Sequence, residues 1–431
     1  MGHHGTRMVR ARRAGGRLAL VAAGIMAGQL VLYGSALVGS RVLLPLACLT
    51  EPGKYIPHKA GGREIQSLQP VLLDLVVQLE PDRRFAAQEL AARRFPYWTP
   101  YKFGGVPFVW PKYSPFFLFS AASKSPLLIP WAHLLASLVA GFGAFAFCRR
   151  VLALGYWPAT LAAWCYPITG WFVLYQGYAT PVSVVWLPWL LCAIDATIRR
   201  ARFAAPTLAL VTALAVVSGN LDVAGQVLLV GGLFGLWRLW NIHGRRWAWR
   251  LLGTRCLTLL LAGTLGLLLA SPYLLPVHEY GRSSARLIDR GAGKEERPPV
   301  GLVALPQLVL PDMYGTYAEI GTAPLMVAAE SNQIEGPASG YTGLLATLVL
   351  APWAFSVRRR RPEAIFLLAL AALGVAWVLN VPGIVQVLRL PVRLGNRLAL
   401  AALALLIGWT VVEKRRRRQP ATRVLPPARS S

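Results

Sequence analysis

Charged residues are scarce in this chain. Asp, Glu, Lys and Arg together make up 15% of its 431 residues, whereas about a quarter is usual for a soluble domain. The shortage is greatest among the acids: 18 Asp and Glu stand against 45 Lys and Arg, and the formal net charge is +27. This composition argues against an ordinary soluble protein. It leaves nucleic acid or a membrane as the reason for the basic excess.

Cysteine is rare as well, and the short motifs of many enzymes are missing. The five cysteines lie in or beside apolar stretches and none has Cys-x-x-Cys spacing, so we predict neither a disulfide framework nor a thiolate metal site. His58 and His278 have no metal-ligand spacing. The sequence contains no phosphate loop, no Rossmann glycine pattern and no nucleophile elbow. It therefore predicts no metal site and no cofactor, and leaves a divalent-metal requirement open.

The chain contains many long apolar runs. Hydrophobic residues make up 55% of the chain, and the mean hydropathy is +0.48. A helix needs roughly 20 apolar residues to cross a bilayer. Suitable runs lie at about 18–46, 126–148, 153–175, 181–198, 203–218, 223–240, 251–277, 340–357, 363–380 and 394–412. The sequence thus predicts an all-α polytopic membrane protein with about ten transmembrane helices, the first of them too long to be a cleaved signal segment.

The basic residues flank these runs in short blocks that indicate a topology. Arginines precede the first run, so the N-terminal segment 1–17 is predicted to be cytoplasmic. Blocks such as 199–202 and 358–361 fall on the same side, whereas the turns at 175–180 and 219–222, on the opposite side, contain no Lys or Arg. The basic tail, 413–431, is again predicted to be cytoplasmic. Topology therefore accounts for most of the charge, and we predict no nucleic-acid partner.

Two long polar segments interrupt the predicted transmembrane domain, 18–412. Parity places both outside the cytoplasm, at about 50–125 and about 278–339. Irregular backbone is not tolerated within the hydrocarbon, so these loops must lie at the outer interface or fold back over a cavity. In the first loop, Asp82 to Phe95 has apolar residues at helical spacing. This pattern predicts a short interfacial amphipathic helix.

The first loop also carries a dense pattern of polar, proline and aromatic residues. Residues 73–108 read LDLVVQLEPDRRFAAQELAARRFPYWTPYKFGGVPF. Three later stretches accompany it: SPYLLPVHEYGRSSAR at 271–286, LPQLVLPDMYG at 305–315 and RLPVR at 389–393. In this order they resemble the YfhO-like bacterial membrane proteins. That family belongs to the GT-C superfamily of glycosyltransferases, which use polyprenyl-phosphate sugars.

The resemblance implies a GT-C-like bundle in the bacterial inner membrane, surrounded by lipid. It also implies transfer of a sugar from a polyprenyl-phosphate donor to a cell-envelope glycan, lipid or protein outside the cytoplasm. The chain departs from the family in two places. Members commonly have Gly-His-Pro-Glu/Gln at a helix end where residues 218–226 read SGNLDVAGQ, and longer members add helices and a soluble domain after the last helix predicted here. The second departure leaves acceptor recognition open.

Asp74 is the candidate catalytic base. Sugar transfer from a lipid phosphate needs a base for the acceptor hydroxyl and cations for the leaving phosphate. Asp74 lies in an apolar stretch near the predicted outer interface, where partial desolvation would make its carboxylate a stronger base. The alternative is local pairing with an arginine such as Arg83 or Arg84, and the resemblance favours catalysis. Glu80 and Asp82 have more polar surroundings and indicate a helix start.

Arginines at the outer interface are candidates for binding the donor phosphate. Arg389, Arg393 and Arg397 recur every four residues in a short connection that parity places outside, against the positive-inside trend. Planar guanidinium groups suit bidentate contacts with phosphate. The alternatives are snorkelling to lipid phosphates and pairing with carboxylates of the second loop. Arg282 and Arg286 repeat the spacing in that loop, and there both interpretations stay open.

Candidate acceptor- or sugar-binding residues come from both loops: Gln78, Trp98, Lys102 and Glu279. Trp98 suits stacking on a sugar ring. Its alternative is an interfacial aromatic belt shared with its aromatic neighbours, which are Tyr97, Tyr101, Trp110 and Tyr113. The residues alone favour the belt.

Two further features are given structural interpretations. His133 lies within a predicted span and is interpreted as a packed or hydrogen-bonded core histidine rather than a ligand. Asp195 precedes Arg199 by four residues at a predicted cytoplasmic helix end, which indicates an ion pair.

A transporter or flippase of a lipid-linked glycan and an inactive scaffold remain the rival functions. Transporters place ionisable residues at mid-membrane, whereas here they collect at the outer interface, and this favours the enzyme.

Overall fold

The fold was analysed in a computed structural model of the chain. It describes residues 2–50, 59–60, 63–64, 72–109, 112–179, 181–243, 249–282, 302–311, 340–357 and 361–379, with single positions at 313, 381, 383, 384 and 387. The chain divides into two compact units, Met1–Asn380 and Val381–Ser431. The helices and hairpins lie in the first unit.

The described residues are mostly helical. Strands occur there only as two short antiparallel hairpins, β1–β2 (Lys59–Ala60 and Arg63–Glu64) and β3–β4 (Trp98–Thr99 and Val106–Pro107). The α-helices, in chain order, are α1 Gly2–Leu37, α2 Glu80–Ala91, α3 Pro115–Ser120, α4 Leu128–Arg150, α5 Tyr156–Cys165, α6 Gly170–Leu174, α7 Val182–Val185, α8 Leu187–Ile198, α9 Ala204–Val217, α10 Leu221–His243, α11 Trp249–Leu269, α12 Ser271–Arg282, α13 Ala351–Ala354 and α14 Arg361–Val378.

Three helices in the described residues are long and apolar enough to cross a membrane. They are Gly15–Leu37, Leu128–Arg150 and Leu221–Ile242, and the pair α11–α12 becomes a fourth if it is taken as one bent span. Within the described residues, helices occupy the predicted apolar runs. The first helix, α1, is shifted towards the N-terminus: it begins at Gly2 and ends at Leu37, whereas the predicted run extends from about 18 to about 46. The helical class of the prediction is confirmed. The number of about ten spans stays a prediction.

Several predicted runs are broken rather than continuous. The run at 153–175 forms α5, a 3-10 turn at Tyr166–Ile168 and α6, and the run at 181–198 is divided between α7 and α8. The helices α11 and α12 meet at a bend of 70°. Proline explains two of these breaks, because Pro167 and Pro272 lack the amide hydrogen that a continuing helix needs.

Helices α8 to α11 share the largest apolar core. It is built around Leu190, Ile194, Ile198, Leu208 and Phe234. A second contact joins α1, α4 and α5 through Val21, Ile25 and Ala163. Small residues allow these helices to approach closely: a Cβ on Gly141 would lie 2.8 Å from the carbonyl oxygen of Ala163. Close approach at small residues is how helices pack in membranes, where lipid removes the hydrophobic drive to associate.

Within the first loop, residues 72–109 and 112–125 are described as a continuous part on either side of a two-residue gap, and its helix α3 packs against α4. A π-helical turn, Leu75–Leu79, leads directly into α2, so the predicted amphipathic helix at 82–95 begins earlier and ends at Ala91. Its apolar side packs Ala86 and Ala87 against Phe108 and Ala121. The amphipathic helix is therefore confirmed, with shifted ends. Its apolar side contacts other parts of the same loop.

An ion-pair triad joins α8 to α10. The Asp195 carboxylate accepts a hydrogen bond from Nε of Arg199 at 2.8 Å, which confirms the predicted pair, and a second from Nε of Arg238 at 2.6 Å. Asp195 and Arg238 are buried, whereas the Arg199 side chain is 53% exposed. A buried charge that loses its partner is strongly destabilising, whereas exposed pairs contribute little. The contact with Arg238 therefore dominates.

We expect Arg238→Gln to lower the free energy of unfolding by about 3–5 kcal/mol, because it leaves Asp195 buried with one exposed partner. Arg199→Gln is the matched control and should change it by less than about 1 kcal/mol. Thermal and denaturant unfolding in detergent measure both. Equal effects of the two substitutions would contradict the dominance of the buried contact.

Candidate functional site

Asp74 lies on the helical stretch that leads into α2, opposite the side that faces inward. Leu72, Leu75 and Leu79, spaced three and four residues apart, line a cavity, and Asp74 and Gln78 are exposed. A helix places such residues on different sides because neighbours on one side recur every three or four positions. The described residues therefore do not supply the partial desolvation expected for Asp74.

The turn before α7, residues 175–179, lies next to Asp74. Gly177 packs on Leu75, since a Cβ at Gly177 would lie 3.2 Å from Cδ2 of Leu75. Burial, together with the nearby Asp74 carboxylate, raises the pKa of Tyr178 to about 12. Among the described residues, no side chain forms a hydrogen bond or ion pair with Asp74. The alternative of pairing with Arg83 or Arg84 is thus not observed.

Both of those arginines bind Glu80 instead. Nε and Nη2 of Arg83 donate to the two Glu80 carboxylate oxygens at 2.7 and 3.0 Å, and Nε of Arg84 donates at 2.7 Å. Arg83 also donates to three backbone carbonyls, that of Ser120 at the end of α3 and those of Ser123 and Lys124 just after it. Glu80 is thereby engaged by two guanidinium groups, and Arg83 links it to the end of α3 and the segment that follows.

Asp82 is a second buried acid with a cationic partner. Nζ of Lys102 lies 2.6 Å from its carboxylate, so this candidate ligand-binding lysine is engaged within the loop. Asp82 and Glu80 are both buried, but each has cationic partners, and α2 begins at Glu80, in agreement with the predicted helix start. Burial is tolerated because each carboxylate is paired. Asp74 is therefore the acid of this helix that stays available.

Trp98 lies on the hairpin β3–β4, in register with Pro107. Its indole covers Gly105, where a Cβ would lie 2.8 Å from Cζ2 and φ is +121°, so only glycine fits that position. Trp98 is 55% exposed, and Tyr97, Tyr101 and Phe103 are exposed beside it. This exposed aromatic surface suits either the interfacial belt or sugar stacking.

A cavity of about 600 Å³ lies between this loop, α4 and the turn before α7. This end of the bundle is the one that the charge pattern assigns to the outside. Its wall is mainly apolar, with leucines of the first loop, Phe116 and Phe117 from α3, and Val173 and Val182 near the turn. Polar groups are few: Glu80, Arg83, Ser114, Ser120, His133, Gln176, Tyr178 and Ser218. Ligand sites commonly combine an apolar wall with a few polar groups in this way.

His133 has a position that the sequence does not reveal. Its side chain lines this cavity and also a small pocket behind it, and its interpretation as a core histidine stays a prediction. A run of apolar residues at 126–148 identifies the helix but not which of its positions faces a void. The lining depends on how α4 meets α3 and the turn before α7.

Lys112 is a buried cation that the sequence analysis did not single out. Its ammonium lies 5.1 Å from the ring centre of Tyr97 and 5.7 Å from that of Tyr113, and burial lowers its pKa. Such cation–π contacts offset part of the cost of desolvation. Ser114, two residues on, has a buried hydroxyl that lines the cavity with no hydrogen-bond partner in the described part of the chain. Only the cluster of aromatics around Lys112 signals this arrangement in the sequence.

Of the remaining candidate ligand-binding residues, only Glu279 and Arg282 belong to the described part of the chain. Glu279 and Arg282 are exposed at the end of α12, whose start packs against Tyr113 through Tyr273. Arg286, Arg389, Arg393 and Arg397 lie outside the described residues. Within the described part, no group of three His, Cys, Asp or Glu side chains could hold a metal ion. Comparisons with protein-family models, curated proteins and solved structures found no match.

Proposed function

We propose that this chain is a polytopic inner-membrane enzyme of the GT-C type. It would transfer a sugar from a polyprenyl-phosphate donor to a cell-envelope acceptor on the outer face. The observation that carries the proposal is the apolar cavity of about 600 Å³ beside the first loop. Asp74 lies on the helical stretch that forms one wall of this cavity, but on its exposed side, so in this proposal the acceptor reaches Asp74 from outside the cavity. The resemblance of residues 73–108 and the three later stretches supports the same conclusion.

The cavity suits an amphiphilic ligand. Its leucine, phenylalanine and valine wall offers an apolar surface to an isoprenoid chain, since burial of apolar area contributes about 25 cal/mol per Å². Its two charged residues, Glu80 and Arg83, neutralise each other at short distance. For the donor phosphate we propose, from the sequence pattern alone, Arg389, Arg393 and Arg397, with Arg282 and Arg286 as the second set.

Asp74 serves as general base in this proposal. It takes the proton of the acceptor hydroxyl while that oxygen bonds to the anomeric carbon of the sugar. The bond from this carbon to the phosphate oxygen breaks, and its electron pair leaves with polyprenyl phosphate. An exposed carboxylate with no partner among the described residues is free to accept that proton, whereas Glu80 and Asp82 are already held by cations. Gln78 and Trp98, with Lys102 and Glu279, are placed around the acceptor and the sugar.

The membrane topology of this proposal predicts a labelling pattern. In a variant without the five native cysteines, new cysteines at Tyr101, which is exposed, and at Pro337 should react with an impermeant maleimide in intact spheroplasts. Cysteines at Arg360 and Arg416 should react only after permeabilisation, because the basic blocks around them are retained inside. Labelling of Arg360→Cys from outside would contradict the map.

Turnover tests the activity itself. Purified protein in nanodiscs, supplied with a polyprenyl-phosphate hexose or pentose and an envelope extract, should release free polyprenyl phosphate and a glycosylated product. Heat-inactivated protein is the control. Intact donor after long incubation with every sugar class would contradict the proposal.

A further inference from the structure

His133 and Gln176 are two polar side chains in an otherwise apolar part of the cavity wall. They come from different elements, α4 and the turn before α7, and both line the main cavity and the small pocket behind it. Their neighbours in this wall are Ala136, Val173 and Val182. The two side chains therefore sit together where the two spaces meet.

Neither side chain is hydrogen-bonded within the described residues. Gln29, another polar residue of the small pocket, is by contrast hydrogen-bonded within the protein. It accepts a hydrogen bond from the Tyr33 hydroxyl at 2.7 Å and donates one to the carbonyl of Pro167 at 3.5 Å. Both side chains, His133 and Gln176, are half-buried and border the cavity, so the imidazole and the amide are available to form hydrogen bonds with a ligand or with water.

The chemistry of this pair indicates a neutral ligand group. A neutral imidazole and an amide each offer a donor and an acceptor, which is what a hydroxyl group needs. The cavity's charged side chains, Glu80 and Arg83, are bound to each other and are not available to attract a phosphate to this wall. The small pocket, about 30 Å³, has room for about one water molecule that could bridge to the same hydroxyl.

We propose that His133 and Gln176 bind hydroxyl groups of the sugar carried by the lipid donor. They are thus specificity-determining residues of the cavity. This inference rests on the proposed function for the nature of the ligand. The lipid chain then lies along the apolar wall, and the sugar is distinguished from bare lipid phosphate by these two side chains.

Binding of two lipids tests the inference. The probes are a polyprenyl-phosphate hexose and the same polyprenyl phosphate without sugar, titrated into the full-length protein in nanodiscs. We expect the wild type to bind the glycosylated lipid more tightly. His133→Ala and Gln176→Ala should each reduce this preference by about tenfold, the effect of a lost hydrogen bond, with little change in affinity for the bare lipid. His133→Asn, which keeps a donor and an acceptor, should restore part of the preference.

Matched controls are His278→Ala and Gln88→Ala, which remove the same side chains at exposed positions. A preference unchanged in the cavity variants would overturn the inference, and so would equal loss of both lipids, because that indicates a merely structural role. A wild type with no preference for the glycosylated lipid would overturn it too. A wild type that prefers the sugar but never transfers it would instead overturn the transferase and leave this subsite standing.

Discussion

Asp74→Asn is expected to reduce sugar transfer by about 10² to 10⁴, the usual contribution of a general base. The amide keeps the shape of the side chain and cannot accept the proton. Because Asp74 is exposed and has no partner among the described residues, its replacement should leave the free energy of unfolding unchanged within about 0.5 kcal/mol. Donor binding should also persist.

The measurement is donor turnover in nanodiscs, normalised to folded protein. Glu89→Gln is the matched control, since Glu89 lies on α2, away from the cavity lining, and pairs with the exposed Arg94. Near-normal turnover by Asp74→Asn would remove Asp74 from the mechanism and return Glu80 and Asp82 to consideration.

Arg83→Gln is expected to lower the free energy of unfolding by about 3–5 kcal/mol, as breaking a buried ion pair does. The substitution removes both contacts with Glu80 and the three hydrogen bonds to the carbonyls of Ser120, Ser123 and Lys124. These contacts fix the helix that bears Asp74 against the segment before α4. Turnover should therefore fall together with stability.

Arg84→Gln provides the internal comparison for that result. Arg84 binds the same Glu80 carboxylate at the same distance, 2.7 Å, but its side chain is 58% exposed, against 5% for Arg83. Exposed pairs contribute about 0–1 kcal/mol. Unfolding in detergent should separate the two variants clearly. A small effect of Arg83→Gln would show that the loop is held by other contacts.

The sequence predicted those features that depend on neighbours along the chain. Apolar runs located the helices, helical spacing located the amphipathic stretch that became α2, and the four-residue separation of Asp195 and Arg199 predicted their ion pair. Each of these rests on periodicity within one element. The helix breaks at Pro167 and Pro272 coincide with prolines that can be read from the sequence. Apolar composition alone, however, does not reveal where a helix bends.

Long-range contacts were beyond the sequence. Arg83 reaches carbonyls about 40 residues further on, and Asp195 binds Arg238, 43 positions away. Neither partner is marked by spacing. The exposure of Asp74 and the lining role of His133 likewise depend on which side of a helix faces a void, and this is decided when separate elements pack together.

Transfer and transport make opposite predictions for one assay, which tests the central claim most directly. Proteoliposomes carry a lipid-linked sugar in one leaflet, labelled on both the sugar and the lipid, with an envelope extract as acceptor. The account predicts that wild-type protein separates the two labels, that Asp74→Asn does not, and that the intact lipid-linked sugar is not carried across the bilayer. Movement of the intact lipid-linked sugar to the other leaflet, with the labels still joined and no effect of Asp74→Asn, would contradict the account and identify a flippase.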